Sequence, residues 1–128
     1  MYKELVICII LVVIIFTLDS ITQNYTKNST NDMKEKLEIL KEQVKNKENK
    51  QEKQKLIEEV YLKWEKFHDI SAIYIEHNEL EKVETNFVSC KDFIDQEIYD
   101  MASNEIEKVI FGLEHIKDKY AFSLINIF

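Results

Sequence analysis

Two Glu-His pairs, Glu76-His77 and Glu114-His115, are the residues whose types best suit chemistry in this chain. Imidazole and carboxylate groups together hold divalent transition metals, and imidazole titrates near neutral pH. Neighbouring residues on a helix project about 100° apart, so neither pair can chelate as a unit. A site therefore requires the two pairs to meet. The spacing allows it. A helix of about 15 residues descending from His77 covers about 22 Å, and one of about 18 residues returning to His115 covers about 27 Å. Both pairs then land at one end of a bundle, within about a turn. The competing reading is that each histidine sits near a helix C-terminus and bonds its last free carbonyls, where the helix dipole favours it. That reading is the stronger, so no metal and no cofactor is expected. Glu76, His77, Glu114 and His115 stand as the candidate cluster. His68 lies about 13 Å before His77 along a helix and does not belong to it.

Catalysis has no other foothold. The chain contains no glycine-rich phosphate loop, no HExxH, no GxSxG and no nucleophile paired with a base. No catalytic residue and no enzyme activity are expected. The net charge is -7, and the 17 basic residues are all lysine. Without arginine the two-pronged contacts of phosphate and base recognition are missing, which argues against nucleic acid as a partner. Of the two cysteines, Cys8 falls inside an apolar run, so a bridge to Cys90 is not expected. Cys90 reads as a small apolar core residue.

The elements that would position these groups are helical. There is no proline and a single glycine, Gly112, which argues against a turn-rich β fold. Met33, Leu37, Leu40 and Val44 form one helical stripe. The stretch from Lys45 to Lys55, KNKENKQEKQK, is too polar to sit against a core and reads as a turn at Asn46 and Asn49 or a solvated extension. A second stripe holds Ile57, Val60, Trp64, Phe67, Ser71 and Tyr74, and its helix is expected to end near His77. Asn78 is the expected cap of a third helix, with Glu81 reaching back to it. That helix carries Leu80, Val83, Phe87, Cys90 and Ile94. After a break between Asp95 and Asp100, a fourth carries Ala102, Ile106, Val109, Leu113, Ile116 and Tyr120. Gly112 beside this stripe permits close approach of a neighbouring helix. The C-terminal residues AFSLINIF are apolar and are expected to fold back and close the core.

Ahead of these stripes, Leu5 to Leu18 carries no charge. As a helix this run covers about 21 Å against a hydrocarbon core of about 30 Å, and flanking Met1, Tyr2 and Ile21 lengthen it. It is apolar on every face, unlike a soluble core helix. No Ala-x-Ala follows it, so an uncleaved anchor is expected in preference to a cleaved signal. Lys3 and the amino terminus precede the run and Lys27 is the first lysine after it, which favours an N-in orientation with the domain outside the cytoplasm. Residues 23–32 read as a polar juxtamembrane exit, with Thr30 to Asp32 as candidate caps of the first bundle helix. Asn24-Tyr25-Thr26 and Asn28-Ser29-Thr30 match the glycosylation pattern by the composition of this stretch alone.

The expected architecture is all-α. A transmembrane anchor over residues 1–22 is followed by the polar segment 23–32 and a helical soluble domain over 33–128, an antiparallel bundle of about four helices built as two hairpins. Several stretches carry a resemblance: Trp64-Glu65-Lys66-Phe67, Ile75 to Glu81, Leu113-Glu114-His115-Ile116 and the end Ser123 to Phe128. With the anchor before them, their order and spacing resemble the bacterial domain-of-unknown-function family 4363, small anchored helical proteins found largely in clostridia. The resemblance implies a bacterial membrane protein and brings no activity or functional residue. The expected role is a non-catalytic interaction or structural module of the cell envelope, held to the lipid bilayer through residues 1–22 and serving an unidentified protein partner. The alternative is a small sensor or ligand-binding domain using the Glu-His end of the bundle.

Overall fold

The computed structural model describes residues 1–121, and the expectation for the C-terminal AFSLINIF falls largely outside them. Four helices account for the described chain: α1 Tyr2–Gln43, α2 Lys50–Ser71, α3 His77–Asp95 and α4 Tyr99–Tyr120. Each packs on two neighbours, in the ring α1–α2–α3–α4–α1. Pairings along their lengths fix an up-down-up-down order. Gln43 meets Glu52 and Lys63 meets Asp32 between α1 and α2, Gln54 meets Asp95 between α2 and α3, and Lys34 meets Glu114 between α1 and α4.

The apolar run and the first bundle helix are one element. No break or cap falls at Thr30 to Asp32; the helix runs through residues 23–32. The reason lies in threonine. Thr26 and Thr30 are buried, each 2% exposed, on the face that continues into Met33, Leu37 and Leu40. Their hydroxyls return to the carbonyls one turn back, Thr26 to Thr22 at 2.7 Å and Thr30 to Thr26 at 2.7 Å. The hydroxyls are satisfied within the helix, so the methyl groups can face the core. Thr17 and Thr22 bond back in the same way, to Val13 and Asp19.

The apolar stripes form the core as expected, from Met33 to Val44, Ile57 to Phe67, Leu80 to Ile94 and Ala102 to Ile116. Trp64 lies at its centre. Its ring stacks on Phe87 at 5.5 Å between centroids and tilts against Phe67 at 5.8 Å; Tyr25 stacks on Phe67 in turn at 5.7 Å. At Gly112 α3 and α4 approach closely: a Cβ there would stand 2.8 Å from a Val83 methyl, below van der Waals contact.

Three local expectations are corrected. The Lys45 to Lys55 stretch does reach the core, because α2 begins at Lys50 and Lys53 is 1% exposed. The Lys53 ammonium reaches the Glu48 carbonyl and lies 4.9 Å from the Tyr99 ring centroid, so its stem covers the end of the core while its charge stays paired. The turn itself is where the asparagines place it: Asn46 Oδ1 accepts the Glu48 N–H at 2.9 Å, and Asn49 is left-handed with φ 60°. Next, α2 ends at Ser71 and not near His77. Tyr74 and Ile75 N–H groups close onto the Ser71 carbonyl at 3.0 and 2.8 Å, which turns the chain and buries Ile75. Finally, Glu76 and not Asn78 occupies the N-cap of α3, with no side-chain cap bond.

The α3–α4 link closes with a Schellman motif. Ile98 N–H donates to the Phe93 carbonyl at 2.9 Å and Glu97 N–H to the Ile94 carbonyl at 3.1 Å. The motif needs a left-handed residue, and Glu97 fills that position with φ 60°. A side chain there costs about 1–2 kcal/mol that glycine avoids. Glu97→Gly is therefore expected to raise the thermal midpoint by a few degrees, after the unfolded chain's added freedom offsets part of the gain. A lowered midpoint in a circular-dichroism melt would refute this account of the link.

Candidate functional site

The Glu-His pairs sit at the end of the bundle where α1 emerges from its apolar run. α3 begins at His77 and α4 ends at Tyr120, so the first pair opens one helix and the second closes its neighbour. Lys119 reaches across from α4 to Glu76 at 3.6 Å and Glu79 at 3.4 Å, and His115 Nε2 meets Glu79 at 3.4 Å. The expected meeting of the two chain segments at one end is present. The four candidate side chains are nevertheless engaged separately. His77 Nε2 pairs with Glu81 at 3.3 Å on its own helix. Glu114 pairs with Lys34 of α1, and with Lys117 at 3.7 Å. Among the described residues, no group of three or more His, Cys, Asp and Glu is placed to hold a metal ion. His68 stands apart as expected, edge-on to Trp64 at 5.9 Å.

These contacts have modest electrostatic weight. The hydrogen bond from Lys34 holds the Glu114 carboxyl below its ordinary value, and the same bond raises Lys34. Both side chains remain partly exposed, where solvent screens such pairs. The network orients helices more than it stabilises them. Lys41 to Glu107 and Lys91 to Glu58 at 2.7 Å extend it to the remaining faces.

Glu84 is a polar node that sequence reading missed. Its carboxylate accepts from the Tyr61 hydroxyl at 2.5 Å and, through the other oxygen, from the Trp64 indole N–H. This contact raises the Tyr61 hydroxyl's pKa, with burial adding to it. Tyr61 and Trp64 lie three residues apart on one face of α2, and Glu84 lies between Val83 and Phe87 on α3. That spacing is the only trace of the node in the sequence. Cys90 is buried, and burial pushes its thiol up to about 12, so it behaves as a core residue and not as a nucleophile.

One open groove lies beside the pairs. It holds about 650 Å³ between α3 and α4 over Gly112, lined by Val83, Asn86, Phe111 and His115 among others. The absence of a side chain at Gly112 deepens it.

No curated protein matches this chain. No solved structure matches it. A family match covers residues 20–127, beginning just past the apolar run and taking in all four bundle stripes. By that match the chain belongs to DUF4363, a family defined as a domain of unknown function.

Proposed function

We propose that this protein is a non-catalytic, membrane-anchored module of a bacterial cell envelope, held by residues 1–22 with its bundle outside the cytoplasm. The observation that carries this reading is a change of environment along one helix. α1 is long and apolar enough to cross a membrane, and its most apolar window has a mean hydropathy of 2.8 with none of it buried. Leu5, Ile9, Val12 and Ile15 are each about half exposed, while the same helix buries a stripe from Thr26 onward. Such a surface in water is far larger than soluble monomers tolerate, whereas a bilayer solvates it. Helix continuity also supports the span: Tyr2 to Ile21 is about 30 Å of unbroken helix. The role follows from the remainder of the chain. The core is apolar around Trp64, the Glu84 carboxylate is paired within it, and the charged network ties helices to one another. Such a bundle suits holding or contacting a protein partner.

Lys47 in the exposed α1–α2 turn offers a direct test, because Cys8 lies in the apolar run and Cys90 is buried. Lys47→Cys in intact cells is expected to react with a membrane-impermeant maleimide, and the chain is expected to stay in the membrane pellet after carbonate washing. Replacing both Val12 and Val13 with lysine costs about 5–7 kcal/mol of insertion and should move the chain to the supernatant. Protection of the introduced thiol in intact cells but not in lysed ones would overturn the orientation. Release of the unaltered chain by carbonate would overturn the anchor.

A further inference from the structure

The two ends of the bundle have opposite chemistry. At the far end, the α1–α2 turn carries Lys45, Lys47 and Glu48, and the α3–α4 turn carries Gln96 and Glu97. Among the described residues, the one turn at the anchor end joins α2 to α3 and reads Ala72-Ile73-Tyr74-Ile75, uncharged until Glu76. Ile75 is buried, but Ile73 is 88% exposed, the most exposed large apolar residue outside the N-terminal residue itself. Ile70, one turn before it, is 42% exposed. Turns that face water are normally built from polar residues, so an isoleucine displayed at this tip calls for an apolar or interfacial surrounding.

The height of this turn is fixed by α1. The Tyr74 hydroxyl lies 2.6 Å from Thr26 Oγ1. Along a continuous helix Thr26 is about 12 Å beyond Leu18 and about 8 Å beyond Ile21. The headgroup region on each side of a bilayer is about 5–7 Å thick. Neighbouring helix axes stand about 8–10 Å apart, and an ordinary tilt of about 20° lowers that side of the bundle by roughly another 3 Å. The α2–α3 turn thus arrives at the headgroup layer. Tyrosines gather at the same level. Tyr25 stacks on Phe67, and the Tyr74 and Tyr120 rings meet edge-on at 6.4 Å. Tyrosine is a residue of membrane–water boundaries.

We propose that the α2–α3 turn docks on the lipid surface beside the anchor, with Ile73 inserted at the headgroup–acyl boundary, so that the bundle is seated on the bilayer and does not swing free above it. This rests on the anchor reading of α1. The attraction is hydrophobic, since acidic Asp69 and Glu76 flank the turn, so the fitting surface is zwitterionic.

The test uses the full chain with Cys8→Ala, reconstituted in phosphatidylcholine vesicles and carrying a nitroxide on one introduced cysteine: Ile73→Cys, Val12→Cys or Lys47→Cys. Collision with dissolved oxygen relative to a water-soluble nickel complex reports depth. The expected result is a ratio at position 73 several-fold above that at position 47 and below that at position 12. A ratio at 73 equal to that at 47, with 12 still high, overturns the docked turn and leaves the anchor standing. A low ratio at 12 overturns the anchor reading and the docking with it. Because Ile73 is exposed, its replacement should leave the melting temperature of the bundle unchanged, which separates lost docking from lost folding.

Discussion

Trp64→Ala is expected to destabilise the bundle by about 3–5 kcal/mol, the range for removing a large aromatic from a closed core. Trp64 is fully buried, stacks on Phe87 and tilts against Phe67. The ring bridges α2 and α3, so its removal opens space between two helices. The loss has a polar part as well: Glu84 would keep the Tyr61 hydroxyl but lose the indole N–H. Trp64→Phe isolates that part, retaining stacking while removing the donor, and should cost about 1–3 kcal/mol for the charged hydrogen bond plus the residual space. A domain of this size shifts about 4–8 °C per kcal/mol, so the alanine variant's thermal midpoint should fall by at least about 12 °C. Denaturant titration of the detergent-solubilised chain, followed by circular dichroism, measures both. Equal losses for the two variants would show that the Glu84 contact, and not ring packing, sets the core's stability.

Thr26→Pro probes the other central feature, the unbroken α1. Proline at 26 removes an internal helix bond and drives its ring into the Thr22 carbonyl, which already accepts the Thr26 hydroxyl at 2.7 Å. That costs about 3 kcal/mol or more. The Tyr74 contact is lost with it. A domain of this size shifts about 4–8 °C per kcal/mol, so a fall of at least about 12 °C is expected. Thr26→Val keeps the branched shape and removes only the hydroxyl, and should cost about 1 kcal/mol. An unchanged melt for the proline variant would mean that the anchor and bundle are hinged at this point and do not share one helix.

The parts legible from sequence were those carried by apolar periodicity. All four stripes entered the core, and the break between Asp95 and Asp100 and the close approach at Gly112 came with them. Two of the misreadings, at the start of the bundle and at the Lys45 to Lys55 stretch, share a cause. Thr26, Thr30 and Lys53 face the core with polar or charged side chains, and a pattern that counts apolar residues sees a gap there. Threonine hides its hydroxyl in the turn before, and Lys53 lends its stem while its ammonium settles on the Glu48 carbonyl and the Tyr99 ring; neither act shows in a residue's hydropathy. The threonines do fall seven and three residues ahead of Met33, so the stripe could have been extended through them. At the candidate site, position along the bundle was readable from helix lengths, but rotation was not. Whether Glu114 meets Lys34 on α1 or a histidine on α3 depends on how α4 is turned about its axis, which contacts across the whole core decide.

The even number of helices has a topological consequence. A chain that enters the bundle along α1 from its apolar run and reverses three times has α4 heading back towards that run. Ala121 accordingly shares a groove with Gln23, Asn24 and Lys27 of α1. The start of α1 within the bundle and the end of α4 thereby both lie at the end of the bundle nearest the apolar run. Among the described residues, the opposite pole is formed by the two reversals at Val44–Asn49 and Gln96–Ile98. Insertions at those reversals would extend the bundle away from the end where α1 enters it.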